Sequence, residues 1–281
     1  ETLATLPTGR GPHELAITRD GRWAVSTDYS GGNSLTVFDV QNLSVERTID
    51  LGSYPRPHGA FFLPGDSIMV ITSEASQNVA LVNPFRGEIV SVIATGAGGS
   101  HMVAVTGDGA TLYTGNMQAA TVSELDVATA RRTRTFAVPG TPEAITASRD
   151  GTEVWVGSNA EGLVSVVETE SGNVSSQLSG FEWPYRILIV EDRNLVVIPD
   201  MGRHVVRFVD YVDRTDIETL PFPGEGPQGV ALTPDHGTVF LSLNSSGEIA
   251  VIDLTTRRVV RRIDSGPSPD GIGWSPLVLR Q

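Results

Sequence analysis

Short runs of apolar residues separated by turns recur along the whole chain, and in several of them apolar and polar positions alternate. Leu35-Thr36-Val37-Phe38 is one such run, and its alternation predicts a strand with one face in the core. At three places an Asp-Gly dipeptide supplies the positive φ of a tight hairpin turn; these are Asp20-Gly21, Asp108-Gly109 and Asp150-Gly151. The pattern therefore predicts short antiparallel strands joined by hairpins.

One longer pattern repeats every 42 to 45 residues: a Gly-x-Pro step, an apolar strand, an Asp-Gly turn, a second strand with a polar end, and a third strand that ends in an acid. The repeats start near seven anchors, namely Pro12, Pro57, Ser100, Pro142, Pro184, Pro227 and Pro269. Four short strands in a period of 40–50 residues are typical of propeller blades. We therefore predict an all-β fold, a seven-bladed β-propeller in which residues 1–281 form a single domain.

The seventh repeat is incomplete, because only residues 270–281 follow its first position. Leu6 lies six residues before Pro12, which is the offset between outer-strand apolar residues and the later anchors. We therefore predict that residues 2–6 form the outer strand of the seventh blade, join the C-terminal strands and close the ring. Even with this strand, the seventh blade is one strand short.

The repeats resemble the YVTN family, the propeller repeat of YncE-like bacterial exported proteins. The matching segments are PEAITASRDG (142–151), VWVGSN (154–159) and IAVIDLTT (249–256). The resemblance implies a seven-bladed propeller. It leaves the function open, because propellers of this family serve as binding platforms, interaction modules and occasional enzymes.

Composition excludes several classes of function. The chain has 20 Lys and Arg against 33 Asp and Glu, a formal charge of −13, which opposes nucleic-acid binding. Cysteine is absent, so disulfides, thiolate metal sites and Cys nucleophiles are excluded. No apolar run approaches the roughly 20 residues of a membrane-spanning helix. We expect a periplasmic or secreted protein, since the chain starts at Glu1 and lacks cysteine, and a monomer, since a closed ring has no free strand edge.

The residue after each anchor is expected near the propeller axis, because the first strand of every blade begins there. These residues are His13, His58, His101, Glu143, Tyr185, Gln228 and Asp270. Imidazoles together with a carboxylate suit Zn, Fe, Cu or Ni better than Ca or Mg, which prefer oxygen ligands. The sequence thus predicts a transition-metal site with His13, His58 and His101 as ligands, and with Glu143 as a fourth ligand or a general base. The alternative is that each histidine only binds its neighbouring loop.

Two acids at the ends of second strands, Asp28 and Glu74, are predicted to orient His13 and His58 by accepting hydrogen bonds. The alternative for both acids is loop capping. Four more residues are expected on the same face, as contacts for a small anionic or aromatic ligand: Arg56, Trp183, Tyr185 and Arg186.

These observations predict an exported propeller with a central histidine site for a transition metal. A metal-dependent enzyme acting on a small anionic or aromatic molecule is one form of this hypothesis, and the sequence does not decide whether the site is catalytic. Two alternatives stay open. One is a non-catalytic propeller that binds a small molecule, and the other is a protein-interaction propeller.

Overall fold

The computed structural model describes residues 2–279, whose regular structure consists of 24 strands and one 3-10 helical turn, Glu191–Arg193. The strands pair antiparallel, in chain order, into six four-stranded sheets, blades one to six. Blades one to three are β1–β4 (Pro12–Ile17, Trp23–Asp28, Ser34–Asp39, Ser44–Asp50), β5–β8 (Pro57–Phe62, Met69–Ser73, Asn78–Asn83, Glu88–Ala94) and β9–β12 (Ser100–Val105, Thr111–Asn116, Thr121–Asp126, Arg131–Ala137). Blades four to six are β13–β16 (Pro142–Ala147, Glu153–Ser158, Leu163–Glu168, Val174–Leu178), β17–β20 (Leu188–Val190, Leu195–Asp200, Val205–Asp210, Asp216–Pro221) and β21–β24 (Pro227–Leu232, Thr238–Leu243, Glu248–Asp253, Arg258–Asp264).

The first strand of each blade lies innermost, and β1 contacts β5, β5 contacts β9, and β9 contacts β13. The core is divided into five clusters, each between two consecutive blades. The middle strands are buried along nearly their whole length because both of their faces pack on neighbouring blades. The outer strand β4 alternates between exposed positions and half-buried or buried ones. This arrangement places the starts of the inner strands around one hub.

The predicted Asp-Gly turns connect first and second strands. In blade one, the Thr18 hydroxyl donates to the Asp20 carboxylate at 2.6 Å, and Gly21 has φ +70°. Blade five departs from this pattern, because Asn194 (φ +50°) ends the helical turn and takes the place of the glycine. Its first strand is short, and Pro184 joins the second strand by a single bridge to Asp200.

The prediction of seven blades is wrong: the described part of the chain contains six. Residues 2–7 and 265–279 include no strand, so the predicted closure by the N-terminal segment is also wrong. Three prolines in the C-terminal segment remove backbone donors that a sheet ladder needs; they are Pro267, Pro269 and Pro276. Arg280 and Gln281, which belonged to the predicted seventh blade, lie outside the described residues.

The C-terminal segment instead packs along the inner strand of blade one. The Gly271 N–H donates to the carbonyl of His13 at 2.9 Å, and the Ser275 hydroxyl donates to the carbonyl of Gly21 at 2.9 Å. These contacts hold the segment against β1 without a hairpin partner of its own. They also bring Asp270 to the hub.

A buried carboxylate orients an arginine that joins blade three to blade four, and its removal is expected to destabilise the fold. Glu124 accepts hydrogen bonds from Arg134 Nε (3.1 Å) and Nη2 (2.6 Å), while Arg134 Nη2 also donates to the carbonyl of Thr169 in blade four. Burial opposes the charge of Glu124, but the hydrogen bonds from Arg134 and Thr133 outweigh it and lower the Glu124 pKa. We expect Glu124→Gln to cost about 2 kcal/mol of unfolding free energy at pH 7.

Because the folded-state pKa of Glu124 is lowered, this stabilisation is present above the unfolded pKa and disappears as the pH falls through the folded one. Urea unfolding at a series of pH values should show the difference between variant and wild type shrinking below about pH 4.5. The exposed Glu88, paired with Arg86 at 3.5 Å, is the control, and Glu88→Gln should change the free energy of unfolding little. If the loss of stability in Glu124→Gln does not change with pH, the charged form of Glu124 is not the source of the stabilisation.

Candidate functional site

The three histidines predicted as metal ligands lie in contact at the hub. His58 lies between the other two, with its ring centroid 4.3 Å from that of His13 and 3.6 Å from that of His101. The planes of His58 and His101 differ by 32°, so these rings are tilted relative to each other. The ring of Tyr29 meets His13 and His58 edge-on. The equivalent starts of β1, β5 and β9 thus bring the three imidazoles into one group.

His58 is buried at 1% exposure, and within residues 2–279 neither of its ring nitrogens has a hydrogen-bond partner. Buried polar atoms nearly always have such a partner. Burial lowers the pKa of His58 well below its ordinary value, and the neighbouring His101, His13 and Arg56 add to this effect. The ring is therefore neutral near pH 7, and one nitrogen carries a lone pair that is free to bind a cation.

His13 extends the group toward two carboxylates. Its Nδ1 lies 3.6 Å from Oε1 of Glu14, and its Nε2 lies 3.3 Å from Oδ2 of Asp270. Burial lowers the pKa of His13, although the negative charge of Asp270 opposes this. One possible ligand atom from each of His13, Glu14 and His58 lies within 4.8 Å of the other two. This set of three residues, the His13–Glu14–His58 group, can hold a metal ion.

His101 faces different carboxylates. Its Nδ1 is 3.1 Å from Oε2 of Glu74, and its Nε2 is 3.9 Å from Oε1 of Glu143. Burial favours the neutral form of Glu74, but the hydrogen bonds with His101 and Tyr29 outweigh it and lower the Glu74 pKa. Glu74 therefore orients His101, whereas the sequence paired it with His58.

Glu143, predicted as a fourth ligand or a base, is buried beside His101. Its Oε2 accepts hydrogen bonds from Nε1 of Trp183, at 3.0 Å, and from Nδ2 of Asn159. Burial raises the pKa of Glu143. Its other oxygen faces His101, so Glu143 lies at the hub but outside the His13–Glu14–His58 group.

The four residues predicted as ligand contacts separate into two exposed and two buried side chains. Trp183 is 39% exposed, and Arg56 lies over the Tyr29 ring and pairs with Glu74 at 3.3 Å. The buried Tyr185 hydroxyl donates to Asp270 at 2.9 Å, and burial raises its pKa. Arg186 is also buried; it donates to the carbonyl of Tyr185 at 2.7 Å and to Glu14, and burial lowers its pKa to about 10.

Asp28, the other acid expected to orient a histidine, is held within its own blade. It accepts hydrogen bonds from the hydroxyls of Ser34 (2.6 Å) and Thr36 (3.2 Å). Sequence reasoning missed Glu14, the carboxylate that has a possible ligand atom within 4.8 Å of those of both His13 and His58. The sequence did contain a signal, namely a charged residue at a repeat position that is otherwise uncharged. Glu14 and Arg186 both lie two residues after an anchor, where the other repeats have Gly59, Met102, Ala144, Gly229 and Gly271.

Charge at the hub favours a cation. Four carboxylates lie there, and two guanidinium groups face them, a formal excess of two negative charges before any proton on the imidazoles is counted. The carboxylates are Glu14, Glu74, Glu143 and Asp270, and the guanidinium groups are Arg56 and Arg186. A divalent ion would neutralise this excess.

The six four-stranded sheets and the sequence repeat define the protein as a β-propeller. A family model described as YNCE-like beta-propeller matches residues 65–192, just under half of the chain. The resemblance to YncE-like propellers that the repeats indicated is confirmed over these residues. No match is found among curated protein sequences. In the described residues, no helix is long and apolar enough to cross a membrane.

Among solved structures, the chain is similar to a chain of Kuenenia stuttgartiensis hydrazine synthase. The TM-score is 0.82 at 15% sequence identity, and the match covers 97% of this chain and 92% of that one. At this identity the similarity concerns the fold alone.

Proposed function

We propose that this propeller binds a transition-metal ion at its hub through His13, Glu14 and His58. The observation that carries the proposal is the fully buried His58, whose two ring nitrogens have no hydrogen-bond partner in the described chain. Leaving a buried polar group unpaired costs about 1–3 kcal/mol, and a bound cation would remove part of that cost.

The donor set supports the choice of metal. Two imidazoles and one carboxylate suit Zn, Fe, Cu or Ni. Ligands at about 2.1 Å from a tetrahedral ion lie about 3.4 Å apart. The distance of 3.6 Å between His13 Nδ1 and Glu14 Oε1 fits this spacing. With three protein ligands, a fourth position is left for water or a substrate.

Glu143 is the residue on which a catalytic role for the site depends. Its buried carboxyl group has a raised pKa and lies beside His101, and the indole of the exposed Trp183 reaches it from the surface. A small molecule that enters beside Trp183 would meet Glu143 as a general base. The alternative of a non-catalytic small-molecule site rests on the same residues.

The test is metal titration of protein purified without a histidine tag and treated with a chelator. Calorimetry with Zn²⁺, Cu²⁺ and Ni²⁺ should show one ion per chain for at least one of these metals. His13→Ala should weaken binding by more than about 100-fold, because losing a residue that merely orients a ligand already costs 10–100-fold.

The control variant is His236→Ala, since His236 pairs with Asp192 at 2.7 Å outside the hub and should not affect the titration. Failure of all three metals to bind stoichiometrically would refute the proposal. Equal losses of metal affinity in His13→Ala and His236→Ala would also refute it.

A further inference from the structure

A cavity of about 500 Å³ lies along the inner strands, lined by residues of β1, β5, β9 and β21 and by the C-terminal segment. Glu14 and Arg186 line it, whereas none of the three hub histidines does. Arg19, Asp66 and Gly107, which follow inner strands, line it as well. From Glu14 to Ile17, where β1 ends, the strand rises about 10 Å, at about 3.3 Å per residue. The cavity is thus a second compartment, which the histidines do not line but which adjoins them at Glu14.

Most of the residues that line this compartment are apolar. They include Leu15, Ile17, Val230, Ile272 and Trp274, all of which are only half-buried. Leu15, Ile17, Ile272 and Trp274 belong to none of the clusters between blades, so their apolar surface is turned to the cavity. A volume of this size with apolar walls is typical of small-molecule sites.

Glu14 and Arg186 are the charged residues of the cavity that are largely buried, with side chains only 11% and 10% exposed. Arg186 has five N–H donors, and within residues 2–279 it donates to Glu14 and to the carbonyl of Tyr185. Glu14 accepts through Oε1, so its Oε2 can accept another hydrogen bond. The pair is neutral as a whole, yet it offers both donors and an acceptor to a ligand.

We propose that this compartment binds an uncharged small molecule with an apolar body and a head group that both donates and accepts hydrogen bonds, such as a primary amide. The head group would accept from Arg186 and donate to Glu14. A carboxylate head would place a second negative charge beside Glu14, and an ammonium head a second positive charge beside Arg186. The other charged residues of the cavity, Arg19 and Asp66, lie beyond the ends of their inner strands, so either charge beside Glu14 and Arg186 would be desolvated without a partner of its own. Glu14 also belongs to the His13–Glu14–His58 group, but this proposal requires no bound metal ion.

Three ligands with one alkyl chain test the head group: hexanamide, hexanoate and hexylamine. NMR titration of the full chain should show saturable hexanamide binding, at least about tenfold tighter than that of the other two, because each of those brings an unpaired buried charge. Binding should persist in the presence of a metal chelator, which separates this result from the metal proposal. Contacts between the hexanamide methyl group and the Trp274 ring should be visible as nuclear Overhauser effects.

Ile17→Trp fills the cavity and should abolish hexanamide binding. Val260→Trp, on the outer strand β24 where Val260 is 63% exposed, is the matched control and should bind as wild type does. The proposal is overturned if hexanamide does not bind, if hexanoate or hexylamine binds more tightly, or if the Val260 variant loses binding too. If Ile17→Trp does not fold, the absence of contacts between hexanamide and Trp274 in the wild type overturns it.

Discussion

Replacing His58 with leucine is expected to stabilise the metal-free protein and, at the same time, to abolish metal binding. His58 is buried with both ring nitrogens unpaired in the described chain, whereas leucine fills a comparable volume without a polar atom. The gain should be about 1–3 kcal/mol, the cost of a buried unpaired polar group. The melting temperature of the metal-free variant should therefore rise by several degrees.

His101 provides the matched control, because it differs from His58 in having partners. His101 lies 3.1 Å from Glu74 and 3.9 Å from Glu143, so His101→Leu leaves two acids without their imidazole. We expect this variant to melt at a lower temperature than the wild type. Saturating Zn²⁺ should raise the melting temperature of the wild type but not that of His58→Leu.

Thermal melts of the wild type and both variants, with a chelator and with Zn²⁺, provide the measurement. If both leucine variants shift the melting temperature in the same direction, His58 is not an unpaired group at a binding site. If the metal-free His58→Leu is less stable than the wild type, the imidazole makes a structural contribution that its surroundings do not indicate.

Removing the guanidinium of Arg186 is expected to cause the largest loss of stability at the hub. Arg186 donates to Glu14, and the two side chains are only 10% and 11% exposed. Although burial lowers the Arg186 pKa to about 10, the group stays protonated at pH 7, so the pair is ionic. Arg186→Met leaves the Glu14 carboxylate buried without its cation, which should cost about 3–5 kcal/mol.

The double variant Glu14→Met/Arg186→Met should be more stable than Arg186→Met alone, because it removes both buried charges. Urea unfolding of the two single variants and the double variant measures this coupling as a double-mutant cycle. Arg258→Met is the control at the surface, where Arg258 pairs with Glu218 and is 58% exposed; it should change stability little. Additive losses in the cycle would show that Glu14 and Arg186 do not stabilise each other.

The repeat pattern predicted most of the strands, and the position after each anchor predicted which residues meet at the hub. The position after an anchor could not indicate which side chains form hydrogen bonds with each other. Glu74 was assigned to His58 and instead contacts His101, because the distance between blades, rather than order along the chain, decides which side chains touch. Metal binding, export and the monomeric state stay predictions.

The sequence by itself determined the short antiparallel strands and the period of 42 to 45 residues, because these depend on local alternation and on turn residues. The period in turn determined that the residues after the anchors lie at the hub. Only the tertiary structure decided the number of blades and the pairing of Glu14 with Arg186. These two residues are separated by 172 positions, and they meet because inner strands from different blades surround one axis. Whether the terminal segments add a seventh blade depends on their finding sheet partners, which no local pattern specifies. In the described residues they do not, and the sheets number six.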